Sequence, residues 1–228
     1  MKNSFTNNSK ILTNPELIDM VNHELKSPLV NIKITAEILQ RANKNLNQKF
    51  LTDSLKTINS KVDCLTQLIN DFTDLVKLQS QNLVFKDDKY TLDQIIKLIT
   101  NVHKDLIINE IPKTTKKISV DGRKLIQTIS GLINVIPKLS FPEPIISLSI
   151  FNRDDKFQFY LYGLKENQSI DKFNNDHNQL LNNNWHQKEN DRINTLYAFE
   201  FFQFYKSNFS IFYRPKIGVI LYFELHEH

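Results

Sequence analysis

The chain has 228 residues, of which 40% are hydrophobic and 24% charged, with a formal net charge of +4 and a single cysteine. One cysteine cannot form an internal disulfide bond, so no oxidising compartment is indicated. The lysines are interspersed with acids, which is typical of a solvated surface and does not indicate nucleic-acid binding. The four glycines compare with roughly 16 at ordinary usage, and this shortage argues against glycine-rich phosphate-binding loops.

The sequence contains no targeting or membrane segment that we can recognise. No stretch reaches the ~18 apolar residues of a membrane helix, and the N-terminal residues lack the apolar core of a signal peptide. We therefore expect a cytoplasmic protein without membrane contact. Because few residues precede the first predicted helix, we expect no N-terminal sensor domain.

Two long helices are predicted in the first part of the chain. Over residues 50–76, apolar positions are spaced alternately four and three apart, which is the pattern of a helix that packs against other helices. An earlier helix is predicted to begin at Asn14, with Pro15 at its first position. Its apolar line slips by one residue at Pro28, where a proline usually bends a helix. The polar stretch 43–47 is short enough to make the two helices antiparallel neighbours.

The predicted hairpin leaves a broad apolar surface uncovered. Pairing two hairpins into a four-helix bundle would bury this surface, so we predict a homodimer. The alternative is that residues 83–228 of the same chain cover it. The residues predicted to form the dimer core, here called the dimer seam, are Leu51, Leu55, Ile58, Val62, Leu65, Ile69 and Phe72.

His23 lies off the apolar seam of the first helix. It is two residues from both Val21 and Leu25, so at about 100° per residue it points about 160° away from them, towards solvent. An isolated exposed histidine is more often surface decoration. A helical histidine beside an acid and one turn from a proline can instead be a nucleophile that a partner protein must reach.

The seven residues from His23 to Leu29 read His-Glu-Leu-Lys-Ser-Pro-Leu. They resemble the phospho-acceptor box of sensor histidine kinases, which opens the dimerisation and histidine phosphotransfer hairpin of that family. The resemblance implies that His23 is phosphorylated on a ring nitrogen. It also implies that Glu24 bonds the other nitrogen, fixing the tautomer or acting as a base. Ser27 occupies the position from which related proteins orient water to dephosphorylate a response regulator.

The helix face that carries His23 continues through Ser27, Val30 and Ile34, with Lys26 alongside. The resemblance implies that Lys26, Val30 and Ile34 lie where the receiver domain of a response regulator docks. The alternative is that this stripe packs against the C-terminal part of the same chain.

From about residue 83 the pattern changes to short mixed elements. We predict an α+β two-layer sandwich, with one sheet and its helices on one face. Thr91 and Gln94 form a capping box at the start of its first helix. Strands are predicted at 83–85, 106–111, 118–120, 145–151, 157–162, 209–213 and 219–225, and helices from 92 to about 104, at 121–139 and at 193–206.

This order resembles the ATP-binding domain of the GHKL type that follows the hairpin in histidine kinases. The predicted organisation is therefore a flexible N-terminus at 1–13, a phosphotransfer hairpin at 14–82 and a degenerate ATP-binding-like domain at 83–228. Residues 166–194 are rich in Asn, Gln and charge and are predicted to form a mobile loop. Asp176, His177 and His186 in this segment are interpreted as polar loop residues, and we predict no metal site.

The positions that bind nucleotide in that family are changed here. The family has two asparagines on the helix at 121–139, the second a magnesium ligand. Gly131 and Val135 stand there instead, and Asn134 is one residue out of phase. No acid follows the strand at 157–162 in place of the family's adenine-binding aspartate, and the segment before the last helix lacks the glycines of the family's lid. We therefore predict that ATP and magnesium binding are lost and that no cofactor is bound.

Three functions follow from these patterns. The first is a phosphotransfer protein or pseudo-histidine-kinase of a two-component phosphorelay, similar to dimeric histidine phosphotransferases, in which His23 exchanges phosphate with response-regulator aspartates without ATP. The second is an active histidine kinase with a divergent ATP site. The third is a non-catalytic modulator that binds a kinase or a response regulator.

Overall fold

A computed structural model describes residues 14–41, 47–80, 82–140, 143–165, 186–188, 192–214 and 216–227. The chain forms two compact units that divide between Leu65 and Thr66. The division falls inside a helix, so the last turns of that helix are part of the second unit. The flexible terminus predicted at 1–13 and most of the loop predicted at 166–194 lie outside the described residues.

The N-terminal part is a helical hairpin, as predicted. Its helices are α1 (Asn14–Arg41) and α2 (Gln48–Gln79). Helix α1 continues through Pro28, although a proline has no backbone N–H to donate within the helix. Within the described ranges, neither α1 nor α2 nor any shorter helix has the apolar run that a membrane crossing requires.

After α2, the described residues of the second unit form three helices and eight strands. In chain order they are β1 (Asp88–Thr91), α3 (Leu92–Val102), β2 (Ile107–Glu110), β3 (Lys117–Val120), α4 (Gly122–Leu139), β4 (Ile145–Arg153), β5 (Lys156–Leu164), β6 (His186–Lys188), α5 (Ile193–Phe204), β7 (Phe209–Arg214) and β8 (Gly218–His226). The capping box predicted at Thr91 and Gln94 is present, with both hydrogen bonds formed. Strand β6 was not predicted.

The prediction of a single sheet is wrong. Strands β1 and β3 pair with each other in a small antiparallel sheet, and the other six form a sheet in the order β2-β4-β5-β8-β7-β6. Only β2 and β4 pair in parallel; the other neighbours in the large sheet are antiparallel. Strand β1 pairs with β3 along its whole length, and an isolated bridge between Ile118 of β3 and Glu227 connects the small sheet to the end of β8.

Helices α3, α4 and α5 lie on one face of the large sheet. Because successive side chains of a strand point to opposite faces, the sheet contributes to two separate hydrophobic cores. In β5, Phe157 and Phe159 join the core that α3, α4 and α5 complete, whereas Tyr160 and Tyr162 belong to a second cluster on the opposite face. Aromatic stacking crosses the first core, with the ring centroids of Phe159 and Phe223 4.8 Å apart. Both faces of β5 are therefore buried.

The strand predicted at 83–85 is absent, because Phe85 packs into an aromatic cluster. Its ring centroid lies 4.3 Å from that of Phe204 and 5.7 Å from that of Phe201. The neighbouring N–H of Lys86 donates to Asp121 Oδ2 at 3.0 Å. Asp121 also caps α4, since its Oδ1 accepts from the N–H of Lys124. Residues 82–87 are thus fastened to α4 and α5 without forming a strand.

Candidate functional site

The predicted phospho-acceptor box occupies about two continuous turns of α1. His23, Lys26 and Ser27 are exposed, as the helical spacing predicts for His23. Glu24, the next residue, is buried, with 5% of its surface exposed. Adjacent residues on a helix point about 100° apart, so the two side chains occupy different environments. An exposed imidazole is accessible to a partner protein, whereas the role assigned to Glu24 stays a prediction.

An apolar stripe extends from the histidine along the same face of α1. Val30 is 43% exposed and Ile34 49% exposed. The stripe continues one turn further to Ile38, which is 47% exposed and was missed in the sequence analysis although it follows Ile34 at the same spacing of four. We call His23, Ser27, Val30, Ile34 and Ile38 the phospho-acceptor face.

The dimer seam on α2 is largely open in the single chain. Leu55 is 48% exposed and Val62 45%, while Ile58 and Leu65 are half-buried. The remaining members, Leu51, Ile69 and Phe72, range from half-buried to 52% exposed. A helix that repeats apolar residues on an open face is typical of an oligomer interface.

In the second unit, the face of α4 predicted to have lost its asparagines is closed by other side chains. Val135 is fully buried, whereas Asn134, which is about 100° away from it around the helix, is exposed. A Cβ placed on Gly131 would lie 2.9 Å from Asn194 Nδ2 and 3.0 Å from Asp71 Oδ2. Asn194 was assigned to a mobile loop, and this is wrong: it lies in the first turn of α5 with 4% of its surface exposed.

A buried polar network covers this face of α4. We define it by Asp71 and Asp74 of α2, Lys124 and Gln127 of α4, and Asn194 of α5. Gln127 Nε2 donates to Asp71 Oδ1 at 3.0 Å and to Asp74 Oδ2 at 2.8 Å. Asn194 Nδ2 donates to Asp71 Oδ2 at 2.5 Å, and Lys124 Nζ forms an ion pair with Asp74. No pattern in the sequence indicates this network, because its members are far apart in the chain.

Burial changes the ionisation of this network. Removal from water raises the pKa of Asp71 from 3.8 to about 6, although hydrogen bonds from Gln127, Gln67 and Asn194 act in the opposite direction. Burial and the nearby carboxylates of Asp74 and Asp71 also raise the pKa of Tyr197. The ionised form of Asp71 therefore carries an energetic cost at neutral pH.

We expect this cost to make stability depend on pH. An acid whose pKa is higher in the folded protein than in the unfolded chain favours the folded state at low pH, and this contribution is lost as pH rises through the folded pKa. For Asp71 the difference from 3.8 to about 6 corresponds to about 3 kcal/mol, lost between about pH 4 and pH 7. Asp71→Asn has no carboxyl group to titrate at this position, so its free energy of unfolding should not show this loss. Urea unfolding should therefore show the variant gaining stability relative to the parent between about pH 4 and pH 7.

The control for this experiment is Asp63→Asn, at an exposed position of the same helix. Its pH profile should run parallel to that of the parent. Contributions from other titrating groups, including His103, whose pKa burial lowers, are common to parent and variants and cancel in the comparison. Parallel profiles for Asp71→Asn and the parent would contradict the assignment.

The strand end that should carry an adenine-binding acid is also closed. Strand β5 runs to Leu164, which pairs with Gly218, and the N–H of Lys165 donates to the carbonyl of Ile217 at 3.2 Å. Beside Gly163, the space that a Cβ would take is filled by Ile136 of α4, whose Cγ2 would lie 2.1 Å away. The chain's own side chains thus fill this end of the sheet.

No metal site can be assigned in the part of the chain that the structure describes, where no three His, Cys, Asp or Glu side chains are grouped to hold an ion. His186 is exposed at the start of β6. Asp176 and His177 lie outside the described residues.

Comparison with known proteins links the sequence to histidine kinases. Residues 14–81 match the His Kinase A (phospho-acceptor) domain. The chain is 29% identical over 153 residues to the uncharacterized sensor-like histidine kinase ycf26 of Porphyra purpurea, covering 61% of this chain and 22% of that protein. It is 37% identical over 81 residues to Drug sensory protein A of Synechocystis sp., covering 36% of this chain and 12% of that protein. The chain thus spans less than a quarter of the length of these curated relatives.

Solved structures share the fold at low sequence identity. The Acinetobacter baumannii histidine kinase AdeS superimposes with a TM-score of 0.58 at 13% identity, covering 90% of this chain and 97% of that one. Histidine kinase ThkA, solved in complex with the response regulator protein TrrA, gives a TM-score of 0.53 at 14% identity, covering 93% of this chain and 61% of that one. The chain therefore has the architecture of a histidine kinase core, a phospho-acceptor helical hairpin followed by a domain with the fold of histidine kinase catalytic domains.

Proposed function

We propose that this chain is a histidine phosphotransfer protein of a two-component phosphorelay, which exchanges phosphate between His23 and the aspartate of a response-regulator receiver domain without binding ATP. The observation that carries the proposal is a complete phospho-acceptor box with an exposed histidine, in a chain whose changed nucleotide positions are filled by its own side chains. The proposal includes the cytoplasmic location expected from the sequence.

The transfer needs only an acyl phosphate donor and an accessible imidazole. A ring nitrogen of neutral His23 attacks the phosphorus of the receiver's aspartyl phosphate, a new N–P bond forms, and the bond from phosphorus to the carboxylate oxygen breaks. The aspartate leaves as a carboxylate, and the other ring nitrogen keeps its proton. The reverse step on a second receiver returns the imidazole and forms a new aspartyl phosphate. No nucleotide enters either step.

The phospho-acceptor face supplies a surface that suits a receiver domain. Val30, Ile34 and Ile38 present exposed apolar side chains below His23 on one face of α1. Lys26 is exposed alongside, where a cation can face the acidic pocket of a phosphorylated aspartate. ThkA, which shares the fold, was solved in complex with a response regulator, and this supports a partner of the same class.

Loss of nucleotide binding is supported by the polar network. Asp71 and Asn194 fill the space at Gly131, and the one lysine of the network is already paired with Asp74. The carboxylates of Asp71 and Asp74 already accept from donors of the network, so a triphosphate approaching this face would have to displace these contacts and would be repelled by the like charge of the carboxylates. We infer that neither ATP nor magnesium is a cofactor of this chain.

The experiment that tests the function has two arms. In the first, the protein is incubated with phosphorylated receiver domains, and an acid-labile label on His23 is expected. In the second, it is incubated with γ-labelled ATP and magnesium alone, and no label is expected. Label from ATP alone would identify an active kinase, the activity in the names of the relatives. Label in neither arm would leave a binding modulator and would contradict the proposal.

A homodimer is part of the proposal, and the exposed dimer seam makes it testable. Leu55→Glu places a charge on the seam, where two apolar faces would otherwise meet, so the variant should be monomeric by light scattering while the parent is dimeric. The control is Thr57→Glu, which adds the same charge at an exposed position of α2 that is not part of the seam. A monomeric parent, or a dimer that survives Leu55→Glu, would refute the predicted interface.

A further inference from the structure

The polar network joins three helices, and its two carboxylates and the amide of Asn194 are almost completely withdrawn from water. Asp71 is fully buried, Asp74 is 5% exposed and Asn194 is 4% exposed. Asp71 and Asp74 are one turn apart on α2, and Lys124 and Gln127 are one turn apart on α4. The two pairs face each other, and Gln127 links them by donating to both carboxylates.

Both carboxylates of the network accept hydrogen bonds from several donors. Asp71 accepts from Gln67, Gln127 and Asn194, using both of its oxygens. Asp74 accepts from Gln127 and from Lys124, whose side chain is only 12% exposed. A buried ion pair contributes little compared with a well-packed apolar contact, but breaking it leaves an uncompensated charge and is strongly unfavourable. Such a network favours one arrangement of the three helices over alternatives.

The network also depends on Gly131. A side chain there would collide with Asn194 and with Asp71 Oδ2, so the glycine lets a carboxylate and an amide pack directly on the backbone of α4. This face of α4 is therefore occupied by groups from the same chain. Asp71 and Asn194 lie so close to the backbone at Gly131 that no bound molecule fits between them and α4.

We propose that this network is an intramolecular latch, in which the carboxylates of α2 occupy the polar face of α4 in place of a ligand and hold residues 66–79 of α2 on α4 and α5. The latch keeps that face closed, and a solute can reach it only if a buried ion pair and three amide hydrogen bonds break. It goes beyond the proposed phosphotransfer and does not depend on it.

A substitution that keeps the shape of a side chain but changes its hydrogen bonding tests whether the polar latch, and not apolar packing alone, holds the helices together. Gln127→Glu keeps the shape of the side chain but removes the donor to Asp71 and Asp74 and faces them with a third carboxylate. Amide hydrogen exchange of the whole protein, followed by mass spectrometry, should then show at least about ten-fold faster exchange in residues 66–79 and 122–133. Adding Asp71→Asn removes one of the two carboxylates that face the new acid at position 127 and should restore part of the protection, whereas the contact with Asp74 remains.

The matched control lies on the same helix. Asn134→Asp adds one negative charge to the exposed side of α4 and should leave exchange in both segments unchanged. Unchanged exchange in Gln127→Glu, or an equal increase in Asn134→Asp, would overturn the latch. If Gln127→Glu does not fold, Gln127→Ala, which removes the donor to both carboxylates without adding a charge, should show faster exchange in the same two segments, and exchange equal to that of the parent also overturns the latch. Labelling of His23 by a phosphorylated receiver, measured on the same proteins, reports the proposed function separately.

Discussion

His23→Gln should reduce the transfer of phosphate from a phosphorylated receiver domain by at least about 100-fold, because the amide of glutamine has no lone pair that can attack phosphorus. Glutamine keeps a polar side chain of similar reach at an exposed helical position, so folding should be unaffected. The measurement is acid-labile label on the protein after incubation with the phosphorylated receiver. Circular dichroism and light scattering show whether fold and oligomeric state are preserved.

His186→Gln is the matched control, since His186 is also exposed but lies on β6 of the second unit. It should accept phosphate at the rate of the parent. His103 is a poor candidate acceptor, because its Nε2 lies 2.8 Å from Ser130 Oγ and its ring is half-buried. Transfer that persists in His23→Gln, or is lost in His186→Gln, would refute the assignment of His23.

Gly163→Ala should destabilise the protein by about 2 kcal/mol or more, the second large effect expected from this structure. The new Cβ would lie 2.1 Å from Ile136 Cγ2 and 3.2 Å from Val219 Cγ1, and Ile136 is fully buried with little freedom to move. Overpacking of this kind forces off-rotamer side chains or shifts of the backbone. Urea unfolding monitored by circular dichroism measures the loss.

The cause is tested by a double-mutant cycle with Ile136. Ile136→Ala removes the colliding methyl and costs about 2–5 kcal/mol alone, but combined with Gly163→Ala the two costs should fall short of their sum by at least about 1 kcal/mol. Ile136→Val keeps Cγ2 and is the matched control, so it should give no such rescue. Additive costs in the Ala pair would show that the collision does not determine the effect.

Much of the fold could be predicted because its signals are local. The spacing of apolar residues in α2 and the capping box at Thr91 each depend on residues within a few positions of one another. The missed features depend on partners far away in the chain. Residues 83–85 look like a strand, but Phe85 packs against Phe201 and Phe204. The separation of β1 and β3 from the large sheet is likewise a choice of pairing partner.

The candidate site divides in the same way. The exposure of His23 follows from its offset to Val21 and Leu25 within one helix, so helical geometry alone was sufficient. The polar network could not be inferred, since Asp71 bonds Gln127 across 56 positions and Asn194 across 123. A sequence shows that Gly131 lacks a side chain, but which atoms fill that space depends on how three helices pack.

The sequence by itself determined the phospho-acceptor box, the amphipathic hairpin and the shortage of glycine, because each is a property of neighbouring residues or of composition. The glycine shortage and the missing asparagines led only to the prediction that nucleotide binding is lost. The tertiary structure decided which side chains pack at two of these positions: Asp71 and Asn194 at Gly131, and Ile136 at Gly163. The physical reason is that a buried carboxylate must find its donors in space, and folding alone brings them from distant parts of the chain.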